Sequence, residues 1–282
     1  MSVKSNRPNY MYTTAYTALR GQKEHFMITC GNHTEPLVVP PSAGASLSQY
    51  KCVLVGPNTD FPVLHRTHST YDSDGTTLRN PLFYSSAWAP EDAGYDGYTG
   101  GRYDSPGSKG QGTCNTGASP VAAIRELLNT YAEKDFAPRS LLEGVKVSTL
   151  HLKRQLRLLD ARVDGPGFCA KCLSDMLHRD SKYRITQAWA AAVRELGFDG
   201  IISTSTLGNT VNVYIFGPAG IYEGDLEIEE SRDALKVYRE CQDQGMSLPV
   251  LIDETEELEE ALDTPSLVGD FGDALITTEP LS

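Results

Sequence analysis

Apolar and polar positions recur in several blocks along the 282-residue chain, and each block predicts an element. Val53-Leu54-Val55 ahead of Gly56-Pro57 reads as a short strand closed by a turn, and Phe61 to His68 as a second strand. Ser119-Pro120 marks a helix start, a serine N-cap with proline at the first helical position. Behind it Ala123, Leu127 and Tyr131 fall at i, i+4 and i+8, beside Ile124 and Leu128. That spacing predicts a helix from Val121 to Lys134 with one apolar face, flanked by Glu126. Val145 to Leu152 alternates as a strand, and a basic, leucine-rich piece follows from Lys153 to Asp160. Thr186 to Leu196 predicts a second helix, with Gly197 at the left-handed cap position and Phe198 available for the contact beyond it. Asp199-Gly200 turns the chain into a strand from Ile201 to Ser205, and Leu207 to Thr210 turns it into another from Val211 to Pro218. From Tyr222 the character changes. Glu227 to Cys241 reads as a charged helix, and Asp253 to Glu260 as a block of carboxylates typical of a solvated tail. Strands and helices mix without regular βαβ alternation, which makes the expected class α+β.

The flanks and one long internal segment are less patterned. Tyr10, Tyr12 and Tyr16 fit a short helix, and Val38-Val39-Pro40-Pro41 ends any regular element there. Residues 71–99 are rich in Gly, Asp, Ser, Tyr and Pro and read as a long loop, a length that tends to mark lids and binding segments. Trp88, Tyr95 and Tyr98 lie in it and could cover a ligand or anchor the loop. The domain reading is an N-terminal extension over 1–55, a core over 56–222 and an acidic, partly disordered C-terminal extension over 223–282.

Composition narrows the classes. No apolar run reaches membrane-spanning length, and Met1 to Asn6 lacks the apolar core of a signal peptide, so the expectation is a soluble, cytoplasmic protein that does not enter a membrane. A net charge of -12 argues against a general nucleic-acid binder, because phosphate backbones demand a basic face. The six cysteines read as thiols. Cys169 and Cys172 form one C-x-x-C, with His178 nearby and Cys30 or His33 as distant candidates for a fourth ligand. Loop thiols are the reading taken, with no metal expected and zinc the alternative.

The chemistry gathers in one stretch. Gly100-Gly101-Arg102-Tyr103 is followed by Gly112-Thr113-Cys114-Asn115 and then by the helix that carries Glu126. Glycines let backbone approach a ligand. Arginine makes bidentate contacts with phosphate, and a carboxylate in a cleft stabilises developing positive charge. Together they point to a phosphorylated substrate cleaved through a cationic transition state. Cys114 has no histidine placed by motif to activate it and reads as apolar filling.

In their order these landmarks resemble the RES domain, over roughly Leu64 to Pro218. Leu64-His65-Arg66 resembles the family's opening arginine strand, and Gly100-Gly101-Arg102-Tyr103 its Gly-Gly-Arg-aromatic turn. Gly112 to Glu126 resembles the segment ending in its Ala-x-x-Glu helix. Gln187-Ala188-Trp189-Ala190, Gly197 to Ile201, Ser205 and Val213 to Phe216 resemble its closing helix, strand, serine and last strand. The resemblance implies an α+β fold related to ADP-ribosyltransferase toxins. It also implies cleavage of the nicotinamide–ribose bond of NAD, as substrate and not cofactor, by water or phosphate. Transfer of ADP-ribose, action on a related dinucleotide, or binding without chemistry are its alternatives. A toxin with an antitoxin or other protein partner, or a homodimer, also follows from it. Carried over, Arg66 and Arg102 hold the pyrophosphate and ribose, Glu126 stabilises the ribosyl cation, Ser205 bonds the nucleotide, and Tyr103 and Asn115 line the substrate site. Two positions depart from the pattern. Asn115 stands where many members have a tyrosine, and Thr206 where an arginine often follows the serine.

Overall fold

Strand pairing dominates the molecule. The computed structural model describes residues 45–72, 75–86, 100–104, 110–128, 131, 135–168, 170, 184–205 and 210–253. Within them the strands are β1 (Cys52–Val55), β2 (Val63–Ser69), β3 (Phe83–Tyr84), β4 (Gln111–Gly117), β5 (Phe136–Pro138), β6 (Val145–Leu152), β7 (Leu156–Asp160), β8 (Gly200–Thr204), β9 (Val211–Pro218), β10 (Gly220–Ile221), β11 (Leu226–Asp233) and β12 (Val250–Ile252). The helices are α1 (Pro120–Leu127), α2 (Arg184–Glu195) and α3 (Ala234–Asp243).

Eight strands form one mixed sheet in the order β1-β7-β8-β9-β4-β2-β6-β11. Its neighbours run antiparallel except β7 and β8, which are parallel. Two small pairings, β10 with β3 and β12 with β5, flank it. The central join is narrow: β2 and β4 meet at one pair, His65 opposite Gly117. The sheet therefore divides into two wings at that seam.

Period-two alternation sorts the side chains. On β9, Val213 and Ile215 join Leu64, Leu150, Leu158, Ile202 and Cys114 in a core on one face, under Leu82 and Tyr84. Tyr214 and Phe216 point to the other face, where they pack with Trp189, Ala190 and Val193 of α2. The far wing of that second face carries α1 and α3 on Val147, through Val121, Ala123, Ile124, Val237 and Tyr238. Each fully buried leucine or isoleucine in these clusters contributes roughly 1.5–3 kcal/mol. One face of the sheet thus has two helical covers, α2 over one apolar cluster and α1 with α3 over the other.

Several elements follow from local chemistry as expected. Ser119 caps α1, its side chain accepting from the Ala122 N–H, with Pro120 at the first position. Gly197, at φ +88°, ends α2 in the left-handed region. The Phe198 N–H then reaches back to the Val193 carbonyl at 3.3 Å, and Phe198 buries itself in the α2 core.

Others differ. Helix α1 stops at Leu127, well short of Lys134. The Leu128 N–H still reaches the Ile124 carbonyl, but Tyr131 bonds Leu128 in a tighter turn. The apolar spacing is thus met by a helix followed by a turn, both under the same core. The segment expected as a charged helix from Glu227 splits in two. Leu226–Asp233 pairs with the open edge of β6 through a register shift between Ile228 and Glu230, and the helix begins only at Ala234. Charge on such a strand suits a sheet edge, where it discourages further pairing. Asp233 then caps α3, accepting from the Lys236 N–H. The main sheet also crosses both expected domain boundaries, since β1 lies before residue 56 and β11 after residue 222. The expected N-terminal helix, Trp88, Tyr95 and Tyr98 of the long loop, Cys30, His33, Cys169, Cys172, His178, Thr206 and the carboxylate block from Glu254 lie outside the described residues. Among the described residues no helix is long and apolar enough to cross a membrane.

Candidate active site

Gly117 sets the height of helix α1 above the sheet. A Cβ there would lie 2.7 Å from the Ala123 nitrogen and 2.8 Å from the Ala122 Cβ. Only a residue without a side chain lets the first turn of α1 descend this far onto β4. Glu126, three residues after Ala123, then reaches the sheet surface. Asn212 stands opposite Gly117 on β9, and its Nδ2 donates to Glu126 Oε2 at 2.8 Å.

The Gly-Gly-Arg turn packs on the α2 side of the same face. Gly100 takes φ +130°, and the Gly101 N–H donates to Asp104 Oδ2 at 2.7 Å. The Asp104 N–H returns a bond to the Gly101 carbonyl, and the Ser85 hydroxyl donates to Asp104 Oδ1 at 3.1 Å. Asp104 is fully buried. Burial raises its pKa, while the bonds from Gly101 and Ser85 and the charges of Arg66 and Arg194 pull the other way. Gln187 on α2 donates to the Gly101 carbonyl at 3.1 Å, tying the turn to the helix. A Cβ on Gly101 would sit 2.8 Å from Asn115 Nδ2, so the turn backbone lies directly against that asparagine.

These constraints bury Arg102 and Tyr103, and bring the Tyr103 hydroxyl within the field of the Glu126 carboxylate. Arg102 is 5% exposed, and Tyr103 is fully buried with its ring centroid 4.3 Å from that of Tyr214. Burial pushes the Tyr103 hydroxyl up to about 12; Arg102 and Ser203 oppose this and the Glu126 carboxylate adds to it. The Tyr214 hydroxyl is raised for the same leading reason, burial, and again feels Glu126 and Arg102. One carboxylate and one guanidinium thus act on the same pair of buried phenols. Ser205 is buried at the end of β8, its N–H donating to the Thr210 carbonyl at 2.7 Å.

Register aligns the polar positions between the two covers. Asn115 pairs with Tyr214, and Gly117 with Asn212, which in turn pairs with Ser203. Paired residues share a face. Asn115, Asn212, Tyr214 and Ser203 are therefore one polar strip between the apolar clusters under α1 and α2, with Glu126 above it.

Arg66 goes elsewhere. Its Nη1 donates to the carbonyls of Pro81 at 2.7 Å and Phe83 at 2.5 Å, and to Cys114 Sγ at 3.2 Å. It thus holds β3 at the seam where β2 and β4 diverge. Cys114 is fully buried in the opposite core, where burial raises its pKa.

Five of the six residues singled out from the sequence, Arg102, Tyr103, Asn115, Glu126 and Ser205, lie on the turn, helix and strands around this polar strip, and Arg66 reaches Cys114 of the opposite core. Tyr103 enters the site as buried support and not as an open surface. Asn212, Asp104, Gln187, Ser203 and Tyr214 carry no site role in the sequence reading, although Gln187 and Tyr214 fall in the segments that resemble the family. For Asn212 a signal existed: a polar residue in an otherwise apolar strand, at the parity of Tyr214. Among the described residues no group of three or more His, Cys, Asp or Glu side chains could hold a metal ion.

The RES domain family model matches residues 78–231, more than half of the chain. The chain belongs to the RES domain family. The matched span takes in Arg102, Tyr103, Asn115, Glu126 and Ser205 and begins after Arg66. Among solved structures, the chain is similar to the M. tuberculosis MbcT–MbcA toxin–antitoxin complex at 17% identity and a TM-score of 0.40, over 63% of this chain and 87% of that one. No curated protein matches it in sequence.

Proposed function

We propose that the protein cleaves the nicotinamide–ribose bond of NAD or a closely related dinucleotide. The observation that carries this reading is the Glu126 carboxylate, held by Asn212 above a polar strip whose two phenols feel both Glu126 and Arg102, in a RES domain. Breaking the glycosidic bond sends its electron pair to the pyridinium nitrogen. Neutral nicotinamide leaves, and positive charge remains on the ribose. A fixed carboxylate beside that carbon stabilises the charge where it develops. Water or phosphate then attacks the same carbon, and the acceptor's proton is lost to solvent.

Arg102 supplies the pyrophosphate contact in this scheme, and Ser205 a hydrogen bond to the nucleotide. Asn115 lies in the polar strip. Arg66 belongs to it as the residue that holds β3 and the seam, with its charge close enough to influence Asp104. A toxin restrained by an antitoxin is the biological role that fits a family of NAD-consuming enzymes.

Asn115 favours one second reading. An asparagine cannot stack on a pyridinium as a tyrosine can, so a RES scaffold that binds the dinucleotide without cleaving it is the alternative. Chromatography of NAD incubated with the protein, with and without phosphate, separates the readings. Nicotinamide with ADP-ribose marks hydrolysis, and a phosphate-dependent product marks phosphorolysis. Dinucleotide that is bound and recovered intact selects the binding module.

A further inference from the structure

We propose that Asn212 is the positioning residue of this site: its amide fixes the Glu126 carboxylate at the reacting carbon without neutralising it. The inference rests on the reading of Glu126 as the group that stabilises the ribosyl cation.

The geometry is specific. Asn212 is 1% exposed and sits inside β9, between Gly117 on β4 and Ser203 on β8. Its backbone is fixed by pairing on both sides, so its side chain projects from a rigid strand and not from a loop. Gly117 next to it has no side chain, and that gap is filled by the first turn of α1. Helix and strand therefore approach closely enough for a direct 2.8 Å bond from Asn212 Nδ2 to Glu126 Oε2. An asparagine in mid-strand is otherwise unfavourable, since strands select β-branched and aromatic residues. Its neighbours in sequence, Val211 and Val213, follow that preference.

The chemical identity of the donor matters. A lysine or arginine at this place would pair with the carboxylate and cancel the charge the reaction needs. An amide supplies one directional hydrogen bond and no charge. It can hold one oxygen of Glu126 and leave the carboxylate's negative charge available to the cation. Among the described residues Tyr103 and Tyr214 feel the Glu126 carboxylate, and Arg102 acts on the same two phenols, which stay neutral because burial raises them. Asn212 donates the side-chain hydrogen bond that holds the carboxylate.

The test uses the full chain with Asn212→Ala and the nearly isosteric Asn212→Asp. Nicotinamide release from NAD is measured together with the titration of the Glu126 carboxyl by carbon NMR, and folding is checked by thermal melting. Asn212→Ala is expected to lower kcat about 10- to 100-fold with KM changed less than about threefold, as for loss of an orienting hydrogen bond. Asn212→Asp places a second carboxylate against Glu126, so one carboxyl of that pair is expected to titrate at least about one pH unit above an ordinary carboxylate. A folded Asn212→Ala with kcat within about threefold of the parent would overturn the proposal, as would an Asn212→Asp variant in which neither carboxyl of the pair is raised. If the parent protein releases no nicotinamide, the NAD reading fails by itself. The titration then still decides whether Asn212 controls Glu126.

Discussion

Gly117 and Ala123 touch backbone to backbone, and that contact places the carboxylate. A side chain at 117 would meet the Ala123 nitrogen at 2.7 Å, inside any normal separation for a Cβ. Gly117→Ala therefore has to lift α1 from β4 and draw Glu126 away from Asn212. The expected cost is about 1–3 kcal/mol of stability, as for overpacking elsewhere. Denaturant unfolding measures it, and nicotinamide release is expected to fall with it. A variant of parental stability and activity would show that the helix height is not set here.

Asp104 makes two separable predictions. Asp104→Ala leaves the Gly101 N–H and the Ser85 hydroxyl without their acceptor in a buried place, a loss of about 1–3 kcal/mol. The pH dependence has the opposite origin. Burial raises the folded pKa of this carboxyl, so its favourable contribution is complete at low pH and is lost as pH rises through that raised value. Asp104→Asn keeps a neutral acceptor, and its stability relative to the parent is expected to improve as pH climbs from the normal carboxylate range toward neutrality. Melting curves across that range check the sign.

His65 titrates the other way. Burial lowers it from 6.5 to about 4, with Arg232 adding to the effect and Glu229 opposing it. Its stabilisation is present above pH 6.5 and is lost as pH falls from 6.5 to about 4, because the unfolded chain takes up the proton first. His65→Gln removes this group and should flatten the stability curve within that window. An unchanged acid limb would place the origin of the pH dependence in other groups.

The two arginines should part company. Arg66→Lys replaces the planar guanidinium whose Nη1 reaches the Pro81 and Phe83 carbonyls with an ammonium of different reach, so its melting temperature is expected to drop, with about 1.5–3 kcal/mol at stake. Arg102→Lys keeps a charge but loses bidentate geometry, and is expected to weaken NAD binding about tenfold or more. Calorimetry and thermal melts on both variants test the division.

The residues that the sequence made legible are those whose chemistry is local. Ser119-Pro120 and Gly197-Phe198 declare their helix ends through their own hydrogen bonds, and Val211 to Phe216 declares a strand through its run of apolar and aromatic residues. Arg102 and Glu126 were recognisable because a glycine turn and a capped helix present them. Asn212 and Asp104 were not. Each acquires its role from a residue distant in sequence or placed by a turn, Asn212 from Glu126 86 positions away and Asp104 from the Gly101 N–H and Ser85. Arg66 shows the converse: its surroundings in sequence are those of a strand arginine, but the narrow β2–β4 seam decides what its guanidinium holds. Glu227 misled because charged residues suit a helix surface and an exposed sheet edge alike. Only the vacancy beside β6 selects the strand.

The central claim is that Glu126 carries the cleavage of NAD. Nicotinamide release by the parent protein, compared with Glu126→Gln at saturating NAD, tests it most directly. The account predicts release by the parent and a loss of about 100- to 1,000-fold in the variant, with NAD binding and melting temperature retained. Equal release by both proteins would remove Glu126 from the chemistry, and absence of release from a parent that binds NAD would contradict the enzyme reading itself.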